Sequence, residues 1–207
     1  MVDTRLIVRH YRWWLAYVIG RRWVVADATE TRLGRRMQFR AEEVSVDAID
    51  RLTAIEEIRI LKSRYFDALD SKNWGAYAGV FTADAVIDMR DEALHHVGHP
   101  TGDAGTREDW LLVGGRAVAD FLSGALVNVK TIHQGHQPQI TVTGPETATG
   151  YWSFYDWLDF GYESFHGFGH YHEEYRRVDG SWLISLMRLS RMRVEWVSGN
   201  VSRPAGS

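Results

Sequence analysis

The sequence predicts an α+β domain whose sheet curls around its N-terminal helices, and three observations carry that prediction. Apolar residues recur at three and four between Ile49 and Leu69, which is the period of a helix. Beyond about residue 130 the period falls to two, with turn residues between the runs, as in an antiparallel meander. The chain also carries nine tryptophans, many after residue 150, and such rings need a large interior or a pocket to line. At 207 residues it would bury about 70% of its unfolded surface, enough for one domain with a real core and an appendage.

Residues Met1 to about Arg40 differ in character from the rest: arginine-rich, with the aromatic run RHYRWWLAYVIGRRWVV. The apolar part, Trp13 to Ile19, falls far short of the ~20 residues that span a bilayer, and Arg21 and Arg22 close it off. No small-residue cleavage site follows an apolar core, which argues against a signal peptide. Such a segment could lie on an anionic membrane or bind a partner. The preferred expectation is an extension outside the fold over residues 1–44, with Met37 the natural start, a folded domain over 45–197 and a frayed tail over 198–207.

From Ser45, the positions Ile49, Leu52, Ile55, Ile58, Leu61, Tyr65 and Leu69 predict a helix to about Asp70, with Glu56, Glu57, Arg59 and Lys62 on its charged face. Asn73 can cap a second helix through Trp74, Tyr77 and Phe81. A short strand, ADAVID, precedes a polar loop from about Arg90 to Asp109, and Arg116 to Leu126 reads as a third helix with Val118, Phe121, Leu122 and Leu126 inward. Lys130–Thr143 is the first long strand, bent near Gly135 and Pro138. Strands follow at Ala148–Leu158, about Phe168–Val178 and Trp182–Trp196, the last two joined by the hairpin signal Asp179-Gly180.

The net charge of −3 shows neither the basic face of a nucleic-acid binder nor an acidic tail. With no cysteine, disulfides, thiolate metal sites and cysteine nucleophiles are excluded, which fits a cytoplasmic protein.

The first long strand places His133 where it faces a large apolar interior. An isolated histidine there is as a rule satisfied by a backbone carbonyl. The preceding helix changes that reading, because it supplies Tyr65 and Asp70. Neutral imidazole suits proton removal at neutral pH, and a carboxylate on its far nitrogen fixes the tautomer and stabilises the imidazolium that forms. Tyr65 could donate its phenol to a substrate carbonyl or hydroxyl. The bland readings, Asp70 as a turn cap and Tyr65 as a core residue, stay open.

The segments RYFDALD with Lys72-Asn73-Trp74, Thr131-Ile132-His133, and Tyr175 to Trp182 (YRRVDGSW) resemble the SnoaL-like branch of the nuclear-transport-factor-2-like superfamily. That group includes scytalone dehydratase, bile-acid 7α-dehydratase and hexachlorocyclohexane dehydrochlorinase. The resemblance runs from about residue 47 to 196. It implies a cone-shaped α+β barrel, a catalytic dyad of Asp70 and His133 with Tyr65 at the spacing of the bile-acid enzyme, and no cofactor. The dehydrochlorinase carries an arginine on its last strand where this chain has Met187; Arg191 is the nearest arginine of the same parity. The resemblance also implies a homo-oligomer, a trimer or a dimer.

By the same register, the substrate-binding wall is expected from Phe66, Trp74 and Phe121 on the helices, and from Trp152, Phe154, Asp156, Tyr171 and Arg191 on the strands. A mostly apolar pocket of this kind would take a small hydrophobic cyclic molecule such as a steroid, terpenoid or polyketide. His170 and His172 have the His-x-His spacing of a metal site, but Glu174 shares their face and the register turns that face outward, so no metal is expected. His95, His96 and His99 fall in the polar loop over the cavity mouth. The leading expectation is a cofactor-independent lyase, a dehydratase, or an isomerase that uses the dyad with Tyr65 to abstract a carbon-bound proton from such a hydrophobic cyclic substrate. The alternatives are a non-catalytic binding or structural subunit of this fold and a metal enzyme built on His170 and His172.

Overall fold

The structure is a computed structural model and describes residues 46–96 and 105–199. The extension expected from the sequence, residues 200–207 of the expected tail, and His99 lie outside the described residues, whereas Ser198 still pairs with Glu163 and Gly199 donates its N–H to the Tyr162 carbonyl at 2.6 Å. The long helix α1, Val46–Asp70, buries Ala54, Ile58, Leu61, Tyr65, Ala68 and Leu69 along one stripe, the spacing that 3.6 residues per turn demands. Lys72 stops it by adopting a left-handed φ of 59°, and Asn73 then closes the turn through its N–H to the Ala68 carbonyl at 2.8 Å. The Asn73 side chain caps α2, Trp74–Ala78, accepting from the Ala76 N–H at 3.1 Å.

Helix α2 is shorter than predicted, because Phe81 already belongs to strand β1, Phe81–Asp88. The polar loop is a correction too: Arg90–His96 forms a helix, α3, which buries Glu92, Ala93 and His96. A 3₁₀ turn over Arg107–Trp110, a short strand β2, Leu111–Val113, and helix α4, Gly115–Ala125, complete the first half. The second half is β3, Lys130–Gly144; β4, Thr147–Asp159; β5, Glu163–Val178; and β6, Ser181–Ser198. Strand β5 begins five residues before the predicted Phe168, and the predicted turn at Asp179-Gly180 has left-handed φ values of 49° and 79° that match the twist of a two-residue hairpin.

Among the described residues, six strands form one open mixed sheet in the order β2-β1-β6-β5-β4-β3. Strands β3 to β6 are an antiparallel meander, whereas β1 pairs parallel with β6 and carries β2 on its other edge. The fold is therefore an α+β cone with α1 lying against the concave side of β3 and β6. Inward positions alternate along β4 (Trp152, Phe154, Asp156, Leu158) and along β5 (Phe165, Gly167, Gly169, Tyr171, Glu173, Tyr175), as pleating requires. The bend in β3 falls at Gln137-Pro138, where the ladder shifts register and Gln137 has a φ of 37°, so His133 keeps its inward parity while His136 is exposed. Among the described residues, no helix is long and apolar enough to cross a membrane.

Candidate active site

The end of α1 and the start of β3 meet at Asp70 and His133. The Asp70 carboxylate accepts the His133 backbone N–H at 2.8 Å on Oδ2, and lies 2.6 Å from ring Nδ1 on Oδ1. Thr131 adds its hydroxyl to Oδ1 at 2.8 Å and in turn accepts from Lys72 Nζ at 2.6 Å. Burial alone would raise the Asp70 carboxyl, but the bonds from His133 and Thr131 outweigh it and hold the group below the usual carboxylate range. A carboxylate accepts only, so Nδ1 carries a proton, and in the neutral ring Nε2 keeps the lone pair. His133 lines a cavity of about 580 Å³.

A second polar chain starts from the same ring. His133 Nε2 lies 4.0 Å from Asp156 Oδ2. Arg191 grips Asp156 with both terminal nitrogens, at 2.8 and 2.6 Å, and turns its Nε–H to Glu92. The other Glu92 oxygen is 2.6 Å from His96 Nε2. Burial would raise Glu92, yet the Arg191 charge and the His96 contact bring it down to about 2. Gly167 makes room for this clamp: a Cβ there would fall 2.1 Å from both Arg191 Nη1 and Asp156 Oδ1. The guanidinium is thus neutralised by two carboxylates, and Arg191 lines the cavity, where the sequence expects it, while tied to Glu92 and Asp156.

Tyr65, expected beside the dyad, lines the cavity, as do Phe121, Asp156 and Tyr171 of the residues expected at the wall. Phe66, Trp74, Trp152 and Phe154 do not, because each is spent on packing. Phe66 fills the space above Gly135, where a Cβ would come within 2.7 Å of its ring. Trp74 packs edge-on to Tyr77 with centroids 6.2 Å apart. Trp152 donates its indole N–H to the Tyr175 hydroxyl at 2.8 Å, and Phe154 stacks on Tyr171 at 4.1 Å. Their places at the wall are taken by Leu69, Met89, Trp110, Leu126, Leu158 and Phe160.

Two further differences, Lys62 and His96, concern polar residues. Lys62, expected on the exposed charged face of α1, is fully buried, with Nζ 2.5 Å from Glu173 Oε1 and 3.7 Å above the Tyr171 ring. Burial lowers its pKa against the pull of Glu173. Tyr65 sits beside it, and burial raises its phenol well above its ordinary value, so the hydroxyl keeps a proton to donate. His96 belongs to a buried helix face and lines the cavity instead of sitting in a polar loop. The spacing Glu92-x-x-x-His96, i and i+4 on one helix, was the available signal. His170 and His172 occupy the half-buried outer side of β5, where Tyr151 stacks on His170 at 4.6 Å.

An open α+β cone with a histidine–carboxylate pair on the wall of an apolar cavity defines a class of small-molecule domains. The chain belongs to the SnoaL-like family, whose domain profile matches residues 50–188. Among solved structures, it is similar to a type 2 hexachlorocyclohexane dehydrochlorinase, LinA, at 21% identity and a TM-score of 0.59, over 77% of this chain and 99% of that one. A protein from Novosphingobium aromaticivorans, provisionally described as a scytalone dehydratase, matches at 17% identity and a TM-score of 0.57, over 75% of this chain and 95% of that one. Another from the same species, provisionally described as an aromatic ring hydroxylase, matches at 19% and 0.59, over 70% and 94%. At these identities the likeness shows the fold.

Proposed function

We propose that the protein is a cofactor-independent carbon–oxygen lyase, a dehydratase, that removes a carbon-bound proton from a hydrophobic cyclic substrate. The observation that supports this most is the double attachment of His133 to Asp70, through ring and backbone, with Nε2 left as a base toward a cavity large enough for a ring compound. Asp70 would orient the ring and stabilise the imidazolium. Tyr65, a phenol that burial keeps protonated on the cavity wall, would donate to the substrate oxygen that gains charge. Commitment of Arg191 to Glu92 and Asp156 favours loss of water over loss of halide, which would need a free cation for the departing anion.

Enone formation from ring-containing β-hydroxy ketones, followed by absorbance, tests the reading. Turnover that disappears in His133→Ala and survives dialysis against a chelator is expected; undiminished turnover in His133→Ala would remove the role. The expected homo-oligomer is supported by exposed apolar residues on the sheet, among them Ile132, Phe168 and Met192.

A further inference from the structure

The cavity holds a second histidine–carboxylate pair. His96 closes α3, with Nε2 on Glu92, and its ring is stacked between Trp110 at 5.6 Å and Phe165 at 4.9 Å, with Trp196 edge-on at 5.6 Å. That slot fits a flat cation: a carboxylate on one edge and aromatic faces above and below. The charges nearby point the same way. Glu92 and Asp156 are two carboxylates shared by one guanidinium, Arg191, which leaves one negative charge for an imidazolium to balance. His96 and His133 both line the same cavity, at opposite ends of the chain Asp156–Arg191–Glu92.

We propose that His96, oriented by Glu92, is the acid that protonates the departing oxygen while His133 takes the proton from carbon. The inference rests on the lyase reading above. In the step, the Cα–H bond breaks and its proton goes to His133 Nε2, while the electron pair forms the C=C bond. The Cβ–O bond breaks, and the Nδ1 proton of His96 joins the oxygen, which leaves as water. Solvent then returns a proton to His96 and removes one from His133, so no other reactant is consumed. This refines the substrate class to a β-hydroxy carbonyl compound whose leaving hydroxyl needs protonation.

Paired leaving groups test it. Rates of enone formation from 3-hydroxycyclohexanone and 3-acetoxycyclohexanone are measured for wild type, His96→Gln and His133→Ala, because acetate departs without help from an acid. His96→Gln is expected to lower the hydroxide-to-acetate rate ratio by about a hundredfold or more, the usual worth of a general acid. Residual acetate elimination certifies that the variant is folded. An unchanged ratio, whether both rates fall or neither does, overturns the role of His96. His133→Ala is expected to lower both rates together; if it spares both, or if the wild type turns over neither ketone, the lyase reading itself fails.

Discussion

His133 and Asp70 are joined twice, ring nitrogen to one carboxylate oxygen at 2.6 Å and backbone N–H to the other at 2.8 Å, which fixes the imidazole against both rotation and translation. The carboxylate comes from the last residue of α1 and the imidazole from the fourth of β3, so the contact also ties helix to sheet.

Asp70→Asn keeps the shape but can present its amide N–H to Nδ1, which would move the ring proton to Nε2 and remove the lone pair from the cavity. Turnover is expected to fall by about two to four orders of magnitude, as for the equivalent change in hydrolase triads. The loss of charge-assisted hydrogen bonding should cost only about 1.5–3 kcal/mol of stability. Steady-state kinetics and urea unfolding on the same preparation separate the two effects.

Lys62 and Glu173 form an ion pair with both side chains fully shielded from solvent. Lys62→Met leaves the Glu173 charge uncompensated, at a cost of about 3–5 kcal/mol, whereas the double change Lys62→Met with Glu173→Gln should recover most of that loss. Equal destabilisation in single and double variants by chemical denaturation would show that packing, and not the charge, sets the cost.

Gly167→Ala is expected to be destabilising out of proportion to one methyl group, because the new Cβ would meet the Arg191 and Asp156 side chains at 2.1 Å. Overpacking of this kind costs about 1–3 kcal/mol, and the displaced clamp should also lower activity. A variant with wild-type stability and activity would show that the clamp can shift freely.

Glu92 and Asp70 both have carboxyls depressed in the folded state, Glu92 from 4.5 to about 2. A depressed folded pKa contributes stability that is complete above the unfolded value and is lost as pH falls through the folded one. Stability should therefore decline from about pH 4.5 down toward about pH 2, and Glu92→Gln should flatten that decline. Denaturant midpoints across this range provide the check.

Much of the fold was legible because local period and turn chemistry agree with it: the apolar stripe of α1, the alternation of β4 and β5, and Asp179-Gly180 all act over short separations. The parallel pairing of β1 with β6 was not, since it joins residues about a hundred apart and leaves no local pattern. Asp70 and His133 could be singled out because they match the dyad positions of the family that the sequence resembles. Glu92 and His96 were hidden because the buried face of α3 is polar, and a hydrophobic pattern finds only apolar faces. For the same reason Lys62 looked exposed. Phe66, Trp152 and Phe154 cannot be told from cavity wall by pattern, because inward aromatics that fill a core and those that line a hollow have the same spacing.

The central claim is that Asp70 holds the His133 ring with its proton on Nδ1 and its lone pair on Nε2, facing the cavity. A long-range ¹H–¹⁵N spectrum of the ¹⁵N-labelled protein at neutral pH, assigned by the signal lost in His133→Ala, measures this directly. A protonated Nδ1 and an unprotonated Nε2 are expected, a pattern that Asp70→Asn disturbs. A His133 ring protonated on Nε2 alone, or one indifferent to the Asp70 substitution, would contradict it.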